Sequence, residues 1–101
     1  MSSPEFLQDI KDSLRITGED LNTEIEDLIE AAKADLILSG VLESKIVETD
    51  PLIKRAIVVY CKANFGYEDP KISGRFQESY TSLKHHLTLS AEYTTEGDIS
   101  G

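Results

Sequence analysis

Few side chains in this 101-residue sequence could do chemistry, and their spacing is poor for it. His85 and His86 are adjacent, so on a helix they point about 100° apart and do not chelate one ion as an i, i+4 pair does. Cys61 is the only cysteine, and it lies in an apolar run without a nucleophile motif. We therefore predict no metal, no cofactor and no catalytic residue. The histidines are interpreted as surface residues and Cys61 as a small core residue.

Carboxylates are abundant, and they are concentrated in the first half of the chain. Residues 1–50 carry 13 acidic and 4 basic side chains, whereas residues 51–101 carry 6 of each, so the first half holds the whole net charge of −9. General acid–base catalysis needs carboxyls that converge on a cleft. Here Glu24, Asp27 and Glu30 instead recur along one predicted helix. They form either a solvated face or a negative surface that DNA does not adhere to.

Composition restricts the class of protein further. The length predicts one domain with a thin core, which self-association could supplement. The acidic balance argues against nucleic-acid recognition. A single cysteine fits a reducing compartment, and we find neither a signal-peptide pattern nor an apolar run long enough to span a membrane. We expect a soluble protein that is made inside the cell.

Hydrophobic spacing and helix-start patterns predict an all-α fold, a small bundle of about four helices. Ser3 and Asp50 each precede a proline, which is the pattern of an N-cap followed by a first helical residue. Asp20 is the predicted N-cap of the second helix, and Gly40 its stop. The predicted helices are approximately 4–14, 21–39, 51–65 and 73–88. They form a domain over 1–90, followed by a flexible tail over 91–101 that lacks periodicity.

The third helix is apolar nearly all round. Residues 56–61 are six consecutive apolar or aromatic residues, which alone would also fit a buried strand. The length of the run from Asp50 to Gly66 favours a helix. One face should pack on the core of the domain: Leu52, Ala56, Val59 and Ala63. The far side should be covered by the fourth helix or by a neighbouring subunit, and its candidate interface residues are Val58, Cys61 and Phe65.

The order of these segments resembles the phage head–tail connector (adaptor) family. The first segment is "IKDSLRITGEDLNTEIEDLIEAAKADLILSGV", with a Leu-x-Ile-Thr turn, an acidic pair and a Leu-Ile-x-Ala-Ala helix. The second is "DPLIKRAIVVYCKANFGYEDP", and "FQESYTSLKHHLTLS" is similar to the last helix of the family. The resemblance covers about residues 5–90. The matching positions are Leu14, Ile16, Thr17, Glu19, Asp20, Leu28, Ile29, Ala31, Ala32, Asp50, Leu52, Ala56, Tyr60, Phe65 and Gly66.

The resemblance implies a structural, non-enzymatic role. Members form a ring of about a dozen subunits beneath the portal protein of a tailed phage, extend the DNA channel and dock a stopper or tail-completion protein. DNA passes through such a ring without specific binding. The C-terminal segment is implied to contact the portal, which makes Leu89, Tyr93 and Ile99 the candidate portal-binding residues. The expected location is the head–tail interface of the virion, after synthesis in the host cytoplasm.

A second hypothesis follows from the charge alone. A small acidic all-α interaction module could regulate a partner by occupying its basic surface. A salt-sensitive 1:1 complex with a DNA-binding protein would distinguish that module from a connector.

Overall fold

Helices are the only regular elements in the part of the chain that the computed structural model describes, residues 3–65 and 70–95. This confirms the all-α prediction. The elements are α1 (Pro4–Leu14), α2 (Asn22–Ser39), a 3-10 turn (Glu43–Lys45), α3 (Pro51–Asn64), α4 (Pro70–Thr88) and the short α5 (Ala91–Thr94).

Local capping explains where two of the helices begin. The hydroxyl of Ser3 accepts a hydrogen bond from the backbone N–H of Phe6 at 3.1 Å. The carboxylate of Asp50 accepts from the N–H groups of Leu52 and Ile53 at 2.9 and 3.3 Å. Each cap satisfies N–H groups that a helix start leaves without partners, and the proline that follows loses no helical hydrogen bond. Both predicted starts are confirmed.

Two other boundaries differ from the prediction. α2 begins at Asn22 with Leu21 at the N-cap and no side-chain capping bond, so the predicted cap at Asp20 is wrong. α4 begins at Pro70, three residues before the predicted start, because proline suits the first turn of a helix. At the other end of α2, Gly40 adopts a φ of +119° and ends the helix as predicted. The predicted stop at Gly66 lies outside the described residues.

α3 lies at the centre of the bundle and packs against α1, α2 and most extensively α4. Tyr60 and Tyr80 mark the α3–α4 seam, with ring centroids 5.1 Å apart in an edge-to-face arrangement. The predicted core face of α3 is confirmed at Ala56, Val59 and Ala63. The prediction is wrong for Leu52, which is 39% exposed because it lies in the first turn, at the end of the helix.

Two carboxylates connect separate elements. Asp35 on α2 accepts hydrogen bonds from the Tyr80 hydroxyl at 2.6 Å and the Lys84 ammonium at 3.0 Å, both on α4. Glu48, before α3, accepts from the Ser3 hydroxyl at 2.9 Å and from Lys33 of α2 at 3.2 Å. These contacts fix how α2 sits against its neighbours.

The chain packs on the bundle beyond the predicted domain boundary at residue 90. Tyr93 of α5 is 6% exposed, and its hydroxyl lies 2.9 Å from the nearer carboxylate oxygen of Asp50, to which it donates. The backbone N–H of Leu42 donates to the Tyr93 carbonyl at 2.9 Å. The beginning of the predicted tail is therefore helical and joined to the N-cap of α3. Residues 96–101 lie outside the described part of the chain.

Candidate interaction surfaces

The cysteine and the two histidines, the residues with potential chemistry, lie apart in the fold, with the cysteine buried and the histidines exposed. Cys61 is fully buried, and burial raises the pKa of its thiol to about 12, so the thiol stays protonated at neutral pH. His85 and His86 are exposed in the last turn of α4. Across residues 3–65 and 70–95, no group of three or more His, Cys, Asp and Glu side chains is placed to hold a metal ion. No helix in those ranges has the length and hydropathy of a membrane span.

The predicted subunit interface on α3 is covered within the chain itself. Val58 is 6% exposed, Cys61 has no exposed surface, and Phe65 is partly buried against the same core. Because α1, α2 and α4 all contact α3, little of its circumference is left for a neighbouring subunit. The alternative that another helix of the same chain covers this side therefore fits the structure. The role of Val58, Cys61 and Phe65 in an interface between subunits stays a prediction.

The predicted acidic residues lie together on an exposed side of α2. Glu24, Asp27 and Glu30 are all exposed and follow one another at intervals of three residues. Glu30 also pairs with Lys33 on the flank of the helix, with 3.8 Å between the charged atoms. The structure thus brings these carboxylates together. Their role as a channel lining or as a solvated face stays a prediction.

The same side of α2 continues as an apolar strip that the sequence analysis missed. Ala31, Ala34 and Leu38 are exposed, and Leu38, at 86%, is the most exposed large hydrophobic side chain in residues 3–65 and 70–95. We name this surface the α2 outer face and define it by Glu24, Asp27, Ala31, Ala34 and Leu38. The i, i+4, i+7, i+11 spacing from Asp27 to Leu38 places these residues on one side of a helix, so the sequence contained a signal for this face. The hydrophobic stripe of buried residues on the other side of α2 is the stronger pattern.

A groove between α3 and α4 is the second exposed feature. Its apolar lining consists of the partly buried Leu83 and the nearly buried Val59, which is 1% exposed, and its lining also includes Arg55 and Arg75. Both arginines are exposed, and neither has an ion-pair partner among the described residues. We name this surface the α3–α4 groove and define it by Arg55, Val59, Arg75, Glu78, Ser79, Ser82 and Leu83.

The candidate portal-binding residues occupy three different situations. Leu89 is 73% exposed just after α4. Tyr93 is buried against Asp50, and hydrogen bonding to that carboxylate adds to burial in raising the pKa of its phenol to about 12. Ile99 lies outside the described residues. Leu89 is therefore exposed to solvent, whereas Tyr93 is packed into the domain, and the role of both in portal binding stays a prediction.

The fold and its exposed helix faces place the chain among the small all-α bundle proteins. The model of the phage connector protein family matches residues 6–94, which is most of the chain, and the chain belongs to that family. The resemblance seen in the sequence is thereby confirmed. Family membership assigns a structural connector role and contacts with other components of the phage head and tail. Neither the curated proteins nor the solved structures contain a match to the chain.

Proposed function

We propose that this protein is a head-to-tail connector subunit that assembles as a ring beneath the portal protein. The ring extends the DNA channel and docks the stopper or tail-completion protein. The family match over residues 6–94 is the observation that carries the proposal. The protein acts as a structural component of the virion, without catalysis, after synthesis in the host cytoplasm.

The charge distribution supports passage of DNA without binding. The net charge is −9, and residues 1–50 carry all of it, with 13 acidic and 4 basic side chains. Affinity for DNA comes largely from cationic side chains that neutralise phosphates and release counterions. An acidic ring lacks that source of affinity and repels a duplex that enters it. DNA would therefore move through the connector without being retained.

Contact with the portal is proposed for the C-terminal end of the chain. Leu89 is 73% exposed, and burial of an exposed leucine against a partner contributes roughly 1.5–3 kcal/mol at most. Tyr93 can join that contact only if its hydrogen bonds to Asp50 break, so portal binding by Tyr93 would require release of α5. Ile99 would extend the same contact.

Co-sedimentation with purified portal tests this function. The protein should move with portal rings from the same phage in a density gradient and should stay at the top of the gradient when mixed with portal from an unrelated phage. The unrelated portal is the matched control, because it has similar size and symmetry. Absence of co-migration with the cognate portal at micromolar concentrations would contradict the proposal.

A further inference from the structure

We infer that the α2 outer face of one copy docks into the α3–α4 groove of the next copy. This head-to-tail contact would repeat around the ring, so the inference rests on the proposed function and identifies which surfaces join the subunits. The occupant of the groove is a second copy of this chain.

The two surfaces point in different directions on one molecule. On α2, Asp27 is two residues from the buried Ile25 and Ile29, and residues two apart on a helix point about 200° from each other. The α2 outer face therefore points away from the core.

The groove points in a different direction for the same geometric reason. On α4, Tyr80 and Lys84 face α2, where both contact Asp35. Ser82 is two residues from each of them, so it lies on the opposite flank of α4 and lines the groove there. A copy can thus offer its α2 outer face to one neighbour and its groove to another.

Charge complements charge across this contact. Arg55 and Arg75 are exposed cations without partners in the described residues, and Glu78 leaves the groove with a small positive balance. Glu24 and Asp27 are exposed anions on α2. Residues 1–50 carry all of the net negative charge, whereas the groove lies in the second half of the chain. Each copy therefore has both an acidic surface and a groove of opposite charge.

Shape complements shape as well. Ala31 and Ala34 leave the middle of the α2 outer face low, which lets another helix pair approach closely. Small side chains, those of Ser79 and Ser82, line part of the groove. Leu38 projects from the same side of α2, and the partly buried Leu83 is the apolar side chain of the groove that can receive it. Burial of Leu38 would remove the most exposed large hydrophobic side chain in the described part of the molecule from water.

Two different surfaces that join head to tail make a heterologous interface. Repetition of such an interface closes into a ring when the rotation between copies divides a full turn, and otherwise it continues as a helical filament. Attachment to a circular portal selects the closed outcome.

The test measures how many chains bind each cognate portal by native mass spectrometry. Four proteins are compared: the wild type, the groove variant Arg55→Glu/Arg75→Glu, the face variant Glu24→Lys/Asp27→Lys, and the quadruple variant that combines them. Reversal of two charges replaces attraction by repulsion, so each double variant should weaken association between subunits by roughly 10- to 100-fold at low salt and leave rings incomplete. The quadruple variant restores opposite charges across the contact and should restore complete rings.

One control and one further test variant accompany these proteins. Lys45→Glu reverses a charge in the 3-10 turn, outside both surfaces, and should form rings like the wild type. Leu38→Glu tests the apolar part of the contact and should also leave rings incomplete. Because Leu38 is 86% exposed, this variant should unfold at the same temperature as the wild type.

The outcomes separate this inference from the proposed function. Complete rings from both double variants would overturn the inference and leave the connector function standing. So would a quadruple variant that recovers nothing, since charges that do not meet cannot compensate each other. Failure of the wild type itself to bind its cognate portal would overturn both proposals.

Discussion

At the scale of single residues, Asp50 holds two parts of the molecule together. Its carboxylate caps α3 by accepting hydrogen bonds from the N–H groups of Leu52 and Ile53. It also accepts a hydrogen bond from the hydroxyl of Tyr93 on α5. The start of the central helix and the end of the packed chain therefore depend on one side chain. The cap could be predicted from the Asp-Pro pair, because capping is local. The bond to Tyr93 could not, because it joins residues 43 positions apart.

Substitution of Asp50 should cost more stability than substitution of Tyr93. Tyr93→Phe removes one hydrogen bond and should lower the free energy of unfolding by about 1 kcal/mol. Asp50→Ala removes that bond and the cap, so it should lower it by about 2 kcal/mol. Urea denaturation followed by circular dichroism measures both values.

Tyr60→Phe is the matched control for this comparison. The Tyr60 ring packs against Tyr80, and its hydroxyl makes no hydrogen bond in the described residues, so the change should be nearly neutral. A Tyr93→Phe variant as stable as Tyr60→Phe would show that the bond to Asp50 contributes nothing.

Acid should weaken the contact between α2 and α4. Burial alone would raise the pKa of Asp35, but hydrogen bonds from Tyr80 and Lys84 and the positive charge of Lys84 outweigh it and hold this pKa below its usual value. Because this pKa is lower in the folded state, the charged carboxylate stabilises the fold. The stabilisation is fully present above the pKa of the unfolded state, near 3.9, and is lost as the pH falls through the pKa of the folded state. Asp35→Asn should therefore be less stable than the wild type at pH 7.

The stability difference between Asp35→Asn and the wild type should depend on pH. Below about pH 4 the difference between Asp35→Asn and the wild type should shrink, because the wild-type carboxyl becomes neutral too. Burial raises the pKa of Glu48, but hydrogen bonds from Ser3 and Lys33 outweigh it and lower this pKa too, so Glu48→Gln serves as the parallel variant. A stability difference for Asp35→Asn that is equal at pH 7 and pH 3 would contradict this account of the contact.

At the scale of elements, two glycines should respond oppositely to the same substitution. Gly40 ends α2 with a φ of +119°, which an L side chain rarely adopts, so Gly40→Ala should destabilise the protein by about 1 kcal/mol or more. Gly74 lies inside α4, and an added Cβ there meets open space. Gly74→Ala should therefore stabilise the protein by roughly 0.5–1 kcal/mol through helix propensity. Thermal unfolding measures both, and effects of the same sign would refute these helix assignments.

The helices could be predicted because their causes are local. Ser3, Asp50 and Gly40 act on their own turns, and the spacing of Ile25, Ile29 and Leu36 identifies a buried side without knowledge of its partner. What covers the apolar side of α3 at Val58 and Cys61 depends on how helices distant in sequence pack together. That information is tertiary, which is why the sequence left two alternatives open.

At the scale of the whole molecule, a candidate surface on one helix could be predicted from the sequence, whereas a surface shared by two helices could not. The row of Glu24, Asp27 and Glu30 could be predicted, because it lies on a single helix. The groove combines Arg55 of α3 with Arg75 of α4, and only the fold brings them together. Spacing within one segment gives no indication of a surface shared between two segments.

Leu89 should contribute to portal binding without contributing to stability. It is 73% exposed, so Leu89→Glu should leave the unfolding temperature within experimental error of the wild type. Loss of an apolar contact and introduction of a charge should weaken portal affinity by roughly tenfold or more. Surface plasmon resonance on immobilised portal measures this affinity.

Ile72→Glu provides the control for Leu89. Ile72 is also an exposed apolar residue, at 41%, but it lies in the first turn of α4, whereas Leu89 follows the last turn of that helix. Equal losses of portal affinity in the two variants would indicate a nonspecific effect of charge and would remove Leu89 from the proposed portal contact.

The most direct test of the connector account is an electron-microscopic image of the cognate portal mixed with this protein. The account predicts a ring of density, coaxial with the portal and added on the face where the tail attaches, that is absent from images of the portal alone. Images in which the portal is unchanged at saturating protein, or in which the added density lies off the portal axis, would contradict it.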